Sequence, residues 1–269
     1  MRAEKRPDWE AETFQKQLDT EWLGKNAIFY SSIDSTNKAA KEMALNSAPE
    51  GTLIVSDRQT EGRGRRDRRW YSPEGRGLWF SVIPRPPIPP QKVPQFTFIS
   101  ALGTLQAIQE LDEKVPVNIK WPNDLLIRNR KVCGILTELA PGREKSDAVI
   151  VGIGLNVNFK HSDFPGELLP IATSLSIESG RKWDRLGLLA TICKKLENLY
   201  EQYLQTGFEP IRRDWESRAF RIGREISIRT DGEELKGIFL GINGEGALLL
   251  QGENGRKAIY NGELILAGR

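Results

Sequence analysis

The reactive-looking residues of this 269-residue sequence concentrate between Gly62 and Trp70, where GRGRRDRRW carries five arginines and two glycines in nine residues. Arg63, Arg65, Arg66, Arg68 and Arg69 stay charged at any working pH, so they repel one another unless an anion sits among them. A phosphate ligand meets that demand. Gly62 and Gly64 remove side chains that would hold a ligand off the backbone amides, and both permit the positive φ of anion-cradling loops. Trp70 adds a flat apolar face suited to stacking on a nucleobase or on an arginine. Alone, such a run reads more readily as a solvated basic loop or a nucleic-acid contact. The residues around it reverse that preference.

Three other groups have types and positions that suit a polar, anionic ligand. Ser35, Thr36 and Asn37 fall where a strand gives way to a helix, so they either cap the helix or offer side chains and amides to a small polar ligand. Lys120 ends a short strand in NIKWPND, an apolar setting for a lysine. Gly152 and Gly154 interrupt the apolar strand DAVIVGIGLNVNF, and strand glycines mark the close approach of a ligand or another backbone. Asn156 follows where that strand ends. Other chemistries lack parts. The single histidine, His161, lies in a polar turn, which leaves nothing for a serine triad or a histidine metal site. There is no GxxxxGK[ST], and GRGRRD lacks the third glycine of a dinucleotide fingerprint.

The elements that must position these residues alternate between strands and helices. Residues 1–25 space Trp9, Phe14, Leu18, Trp22 and Leu23 as one amphipathic helix, too short a stretch for a winged helix-turn-helix. A strand from Asn26 to Ile33 leads to a helix capped by Asp34 or Ser35. Strands Gly51–Gln59 and Gly77–Pro84 enter and leave the arginine loop. Six prolines between Pro84 and Pro94 make a stiff connector, and a helix follows from Gln95 to Leu111. LLIR and KVCGILTEL form a hairpin about Asn129 and Arg130, and helical periodicity returns over Asp184–Gly207 and Pro210–Phe220. Beyond Arg221, four short alternating strands separated by DGEE, NGEG and ENGR turns read as a small β barrel. The fold class is α+β, a mixed sheet with helices followed by that barrel, in segments 1–25, 26–220 and 221–269.

Composition narrows the function. Net charge is only +3, from 39 basic and 36 acidic residues, so positive charge is local and a general nucleic-acid binder is disfavoured. Cys133 and Cys193 lie in apolar stretches, and the N-terminus has no apolar leader, which points to a reduced, cytoplasmic protein. No apolar run reaches the roughly 18 to 20 residues of a membrane-spanning helix.

With these motifs in view, the chain resembles the biotin protein ligases. GRGRRDRRW resembles that family's adenylate loop, KWPND with RKVCGILTEL its lysine-bearing core, and VGIGLNVN its glycine strand, all in the family's order. DSTN and the terminal barrel match too, so the resemblance runs from about Asn26 to the end. It implies a catalytic domain like that of class II aminoacyl-tRNA synthetases and an SH3-like barrel. It further implies that ATP and biotin form biotinyl-5'-adenylate, and that a lysine of a biotin carboxyl carrier protein then takes the biotin. By resemblance Ser35, Thr36, Asn37 and Gln59 contact the ureido ring, Arg63 and Arg65 the carboxylate and adenylate, and Arg66 and Arg68 the pyrophosphate side. Trp70 stacks on the nucleotide, Lys120 orients carboxylate and α-phosphate, and Gly152, Gly154 and Asn156 form the floor.

Magnesium is expected to neutralise the leaving pyrophosphate, with ligands the sequence does not identify. Two features depart from the family pattern. Asp67 stands where a small residue is usual, and only about 25 residues precede the first strand, which resembles the members without a DNA-binding domain and implies no specific DNA partner. Whether two copies pair is left open. The nearest alternative is a lipoate ligase or octanoyl transferase, against which the arginine loop and KWPND argue.

Overall fold

Apolar runs rich in β-branched and aromatic residues form the central sheet, and runs with helical spacing cover it. The computed structural model describes residues 4–5, 8–140 and 147–266, with only the backbone described at 4, 5, 8 and 9. Eight strands make the large sheet: β1 (Glu4–Lys5), β2 (Ala27–Ile33), β3 (Thr52–Gln59), β4 (Gly77–Ile83), β5 (Val117–Lys120), β6 (Asp124–Ile127), β7 (Arg130–Ala140) and β8 (Ala148–Asn156). Their order is β1-β2-β3-β4-β8-β7-β6-β5, with β2 and β3 parallel and the other neighbours antiparallel.

Among the described residues six helices pack on or beside it: α1 (Asp8–Gln17), α2 (Thr36–Leu45), α3 (Gln95–Leu111), α4 (Leu175–Ser179), α5 (Arg185–Thr206) and α6 (Glu209–Ser217). One face of the sheet meets α3, and α5 lies on α3, around a core that includes Phe80, Leu102, Leu105, Ile153 and Leu196. The other face receives α2 through Ala40, Ile54, Ile83 and Ile150. The first two turns of α5 show why it begins where it does, since the Asp184 carboxylate accepts from Leu186 N at 3.1 Å and caps it. The C-terminal sheet is wholly antiparallel, β9 (Glu225–Arg229), β10 (Glu234–Ile242), β11 (Leu248–Gly252), β12 (Gly255–Ile259) and β13 (Glu263–Ile265), in the order β12-β11-β10-β9-β13.

The two sheets are fastened where the lysine motif begins. Trp121, buried, donates from Nε1 to Gly246 O at 3.1 Å, and Gln95 Nε2 donates to Gly244 O at 2.7 Å. Gly246 backs onto the Phe98 ring, which a Cβ there would overlap, while a Cβ on Gly262 would crowd Ile228 Cγ2 at 2.8 Å.

Several sequence expectations need adjustment. The amphipathic stretch in 1–25 is a helix only over Asp8–Gln17; Leu18 and Leu23 are buried from a loop instead, because the Glu197 carboxylate takes the backbone amides of Glu21, Trp22 and Leu23 at 2.7, 2.9 and 2.8 Å. The hairpin turn is Arg128-Asn129, both at positive φ (49° and 65°), one residue earlier than alternation suggests. The proline connector makes one 3-10 turn at Pro90–Lys92. Five strands, not four, form the C-terminal sheet, β13 being hidden in a run too short to show alternation.

Glu197→Ala leaves three backbone donors of the N-terminal segment without their acceptor, so stability should fall by at least about 2 kcal/mol, lowering the thermal midpoint by roughly 4 to 8 °C. A midpoint unmoved in differential scanning calorimetry would mean that water replaces the carboxylate.

Candidate active site

The site lies on the α2 side of the sheet, and its floor is made by glycines in register. Gly134 on β7 faces Gly154 on β8, which faces Trp79 on β4. The next row pairs Leu136 with Gly152 and Gly152 with Ser81. Each glycine admits a side chain from above. A Cβ on Gly154 would overlap the Trp70 indole, one on Gly134 would come within 2.9 Å of Trp70 Cζ3, and one on Gly152 would overlap Asn37 Oδ1. The floor therefore fits its two occupants only as glycine.

Above it is a cavity of about 280 Å³ whose wall includes all thirteen residues to which the family resemblance assigns a ligand contact. Ser35, Thr36, Asn37 and Gln59 form a polar corner at the start of α2. Ser35 is the N-cap residue but makes no side-chain cap; its N donates to Asp34 Oδ1 at 2.7 Å. Gln59, at the end of β3, caps instead, its Oε1 accepting from Thr36 N at 2.9 Å and Thr36 Oγ1 at 3.1 Å while Nε2 donates to Ser72 Oγ at 3.0 Å. Asn37 is fixed from two strands, β4 and β7. Ser81 Oγ lies 2.7 Å from Asn37 Oδ1, and Asn37 Nδ2 donates to Leu136 O at 3.2 Å and to Glu138 Oε2 at 2.8 Å. Fully buried Ser81 and half-buried Glu138 were not legible as site residues, since each reads as one residue of an ordinary strand.

The arginine loop is a tight excursion closed by Trp70 N to Gly62 O at 2.8 Å and Gly64 N to Arg68 O at 2.7 Å. Of its glycines, Gly62 serves close approach, since a Cβ there would meet Ser72 Oγ at 2.8 Å, whereas Gly64 is extended (φ −118°) with no neighbour nearer than 3.4 Å to a Cβ. The left-handed positions are Arg66 and Asp67, at φ 54° and 55°. A small residue, glycine above all, suits that backbone, and aspartate is among the side chains that tolerate it. Asp67 also lies 3.8 Å from Arg63 Nη2.

The sequence suggested arginines in want of an anion. In the structure carboxylates and amides of the C-terminal sheet supply partners. Arg68 pairs with Glu263 at 3.1 and 2.6 Å, Arg66 with Asp231 at 2.8 Å, and Arg65 donates to Asn261 Oδ1 at 3.2 Å and Asn123 Oδ1 at 3.4 Å. The Arg68 hydrogen bonds hold the Glu263 carboxyl below the usual carboxylate range against its partial burial. Such contacts, 58 to 196 residues apart in sequence, leave no local signal.

Trp70 stacks on neither an arginine nor another ring. It lies on the glycines with its Nε1 buried and without a hydrogen-bond partner, and Lys131 Nζ stands 5.0 Å from the ring centroid. Lys120 is buried at the end of β5, and burial pushes its pKa down while Asp124 opposes that shift. Asn156 is held from below by Nδ2 to Thr173 O at 3.0 Å. Asp124 and Lys131 complete this end of the site and were passed over in the sequence, although Asp124 sits opposite Lys120 in the β5–β6 register.

A polar corner, an apolar floor and a rim of seven cations against two carboxylates make a site for a small polar molecule joined to a polyanion such as a nucleotide. Residues 29–156 match the biotin/lipoate A/B protein ligase family, and residues 222–266 match the biotin protein ligase C-terminal domain. The bifunctional ligase/repressor BirA of Bacillus subtilis is 47% identical over 93% of this chain and 76% of its own length. The biotin–[acetyl-CoA-carboxylase] ligase of Paracoccus denitrificans is 35% identical over 87% of this chain and 98% of its own. Among solved structures, the biotin protein ligase of Aquifex aeolicus in complex with biotin and ATP is similar with a TM-score of 0.79 and 34% identity, covering 90% of this chain and 98% of that one. The chain belongs to the biotin/lipoate A/B protein ligase family.

Because the Arg68–Glu263 pair is solvent-facing, its contribution is at most about 1 kcal/mol. Glu263→Gln should therefore speed tryptic cleavage among Arg63–Arg69 of the ligand-free protein by a few fold, read by mass spectrometry of a digestion time course. Cleavage at the unaltered rate would mean that Asp231 and Asn261 alone hold the loop.

Proposed function

We propose that this chain is an ATP-dependent biotin protein ligase working in two transfers. A biotin carboxylate oxygen attacks the α-phosphorus of ATP, and pyrophosphate leaves with the electrons of the broken P–O bond. The amine of a carrier lysine then attacks the acyl carbon of biotinyl-5'-adenylate, AMP departs, and the amine loses a proton. The first step brings two anions together, so cations fixed in advance are the main catalytic requirement and no protein nucleophile is needed.

The observation that carries this reading is Lys120, a buried ammonium in the same cavity as the polar corner and the arginine loop. Lys120, with Arg63 and Arg65, meets the carboxylate and α-phosphate; Arg66 and Arg68 exchange Asp231 and Glu263 for the pyrophosphate side; Trp70 offers its ring to the base, and Asn156 borders it. Ser35, Thr36, Asn37 and Gln59 read the ureido ring over Gly152 and Gly154. Asn37 can take part only as an acceptor, since both hydrogens of its amide already have partners. The names of the Paracoccus denitrificans relative and of the Aquifex aeolicus structure favour biotin over lipoate.

The residues present do not fit a resident magnesium ion. Asp124 is engaged by two lysines and Glu263 by Arg68, and among the described residues no three His, Cys, Asp or Glu side chains cluster as a cation site. Magnesium belongs to the substrate, as the counterion of ATP. The acceptor is the carrier domain of a carboxylase, consistent with the relative named for acetyl-CoA-carboxylase. We assign catalysis to residues 26–220 and loop anchoring to 221–269. No described helix is long and apolar enough to cross a membrane, in keeping with a cytoplasmic enzyme, and sedimentation velocity with and without biotin and ATP decides whether it forms a homodimer.

Pyrophosphate release with biotin, ATP and magnesium is the assay, and EDTA should abolish it. Lys120→Ala should lower turnover on the order of a hundredfold or more with the fold intact. Gly152→Ala, by displacing Asn37, should instead weaken biotin binding in calorimetry by about tenfold or more. Wild-type turnover in Lys120→Ala would remove that lysine from the site.

A further inference from the structure

Two lysines reach the cavity, and they share one carboxylate. Lys131 Nζ is 2.6 Å from Asp124 Oδ1, a close ion pair without hydrogen-bond geometry, while Lys120 Nζ is more distant, 3.6 Å from Asp124 Oδ2. The Asp124 side chain is 11% exposed, so its charge must be matched inside the protein. The backbone is shaped to let Lys131 do so. In the β6–β7 ladder Leu125 pairs with Cys133 and Leu126 with Lys131, which leaves Val132 as an extra residue, a β-bulge. Val132 and Cys133 therefore both enter the core, and Lys131 falls on the cavity face with Leu126 and Gly134. Lys131 N to Ile171 O at 2.8 Å and Thr173 N to Lys131 O at 2.9 Å fix this stretch from its other edge. Gly134 leaves room for the lysine to fold back, since a Cβ there would meet Lys131 Cε at 3.1 Å.

We propose that Lys131 is a positioning residue for adenylation: by engaging Asp124 it leaves the Lys120 ammonium with donors for the anionic substrates. With Asp124 as its only neighbour, Lys120 would close into a pair with no net charge. With Lys131 present, the trio carries one net positive charge, and the Lys120 ammonium is the looser partner. The inference rests on the ligase reading of the same site.

The test compares Lys131→Met, Lys131→Arg and the double variant Asp124→Asn/Lys131→Met by steady-state pyrophosphate release, with Lys131→Gln replacing Lys131→Met should the latter not fold. Lys131→Met should lower kcat about tenfold or more, with the KM for ATP changed less than about twofold. Lys131→Arg should stay near wild type. The double variant restores the single net positive charge and should regain most of the loss, an outcome that a purely structural role for Lys131 does not produce.

The pH profile gives a second readout. Lys120 is faced by Asp124, Lys131 and Glu263, and Arg65 and Arg68 of the loop act on Asp124. Burial, the largest effect, and Lys131 both lower the pKa of Lys120, so a rate that needs the ammonium falls as pH rises through that value. Removing Lys131 should move this alkaline limb to higher pH. A Lys131→Met enzyme with wild-type kcat, a double variant no faster than the single one, or a KM for ATP raised tenfold in both overturns the proposal, the last by making Lys131 a nucleotide contact. A wild-type chain that released no pyrophosphate would sink the ligase reading itself.

Discussion

Seven cationic side chains gathered over one face of a sheet, with two carboxylates among them, set the constraint to which the rest of this structure answers. Left unmatched, that charge would drive the arginine loop into solvent and would oppose the burial of Lys120. The protein answers in two ways. Inside, Asp124 balances the lysines, and the cost of its own burial is offset because Lys131 and Lys120 hold its carboxyl below the usual range. Outside, the C-terminal sheet offers Asp231, Asn261 and Glu263 to the loop. These groups give the loop arginines partners within the protein itself.

The floor answers a separate demand. A strand interior normally spends its side chains on packing, yet β7 and β8 leave theirs off at Gly134, Gly152 and Gly154 so that Trp70 and Asn37 can rest on backbone. Both occupants come from elsewhere, one from the loop and one from α2, which makes the sheet a common datum for the polar corner and the cationic rim. Packing on the opposite face is dense, with Phe80, Leu102 and Ile153 buried there, so the datum is rigid.

What could be read from the sequence was whatever repeats or stands out locally. The period of α3 gave its limits to the residue, and the strands flanking the arginine run, the lysine at the end of β5 and the glycines of β8 all declared themselves. What could not be read depends on distance or on a broken period. The bulge at Val132 reverses the alternation that would put Lys131 on the core face, and the partners of Arg66 and Arg68 lie in another sheet. Ser81 and Glu138 act by bonding Asn37, and a residue that works through another carries no signature of its own. The arginines looked unpaired for the same reason: like charges are adjacent in sequence, and their counter-charges are not.

The junction between the two sheets bears on how such a protein can be recombined. Trp121 follows directly on Lys120, and its indole is received by the Gly246 carbonyl, while Gln95 and Phe98 meet the Gly244–Gly246 turn. The C-terminal fifty residues are thus keyed to three aromatic and amide side chains of α3 and of the segment after β5, in addition to the arginine loop. Exchanging this portion between relatives is an exchange of half a lock. The turn and its glycines have to travel together with matching residues at positions 95, 98 and 121, and inheritance of the unit is coupled to that of the neighbourhood of Lys120.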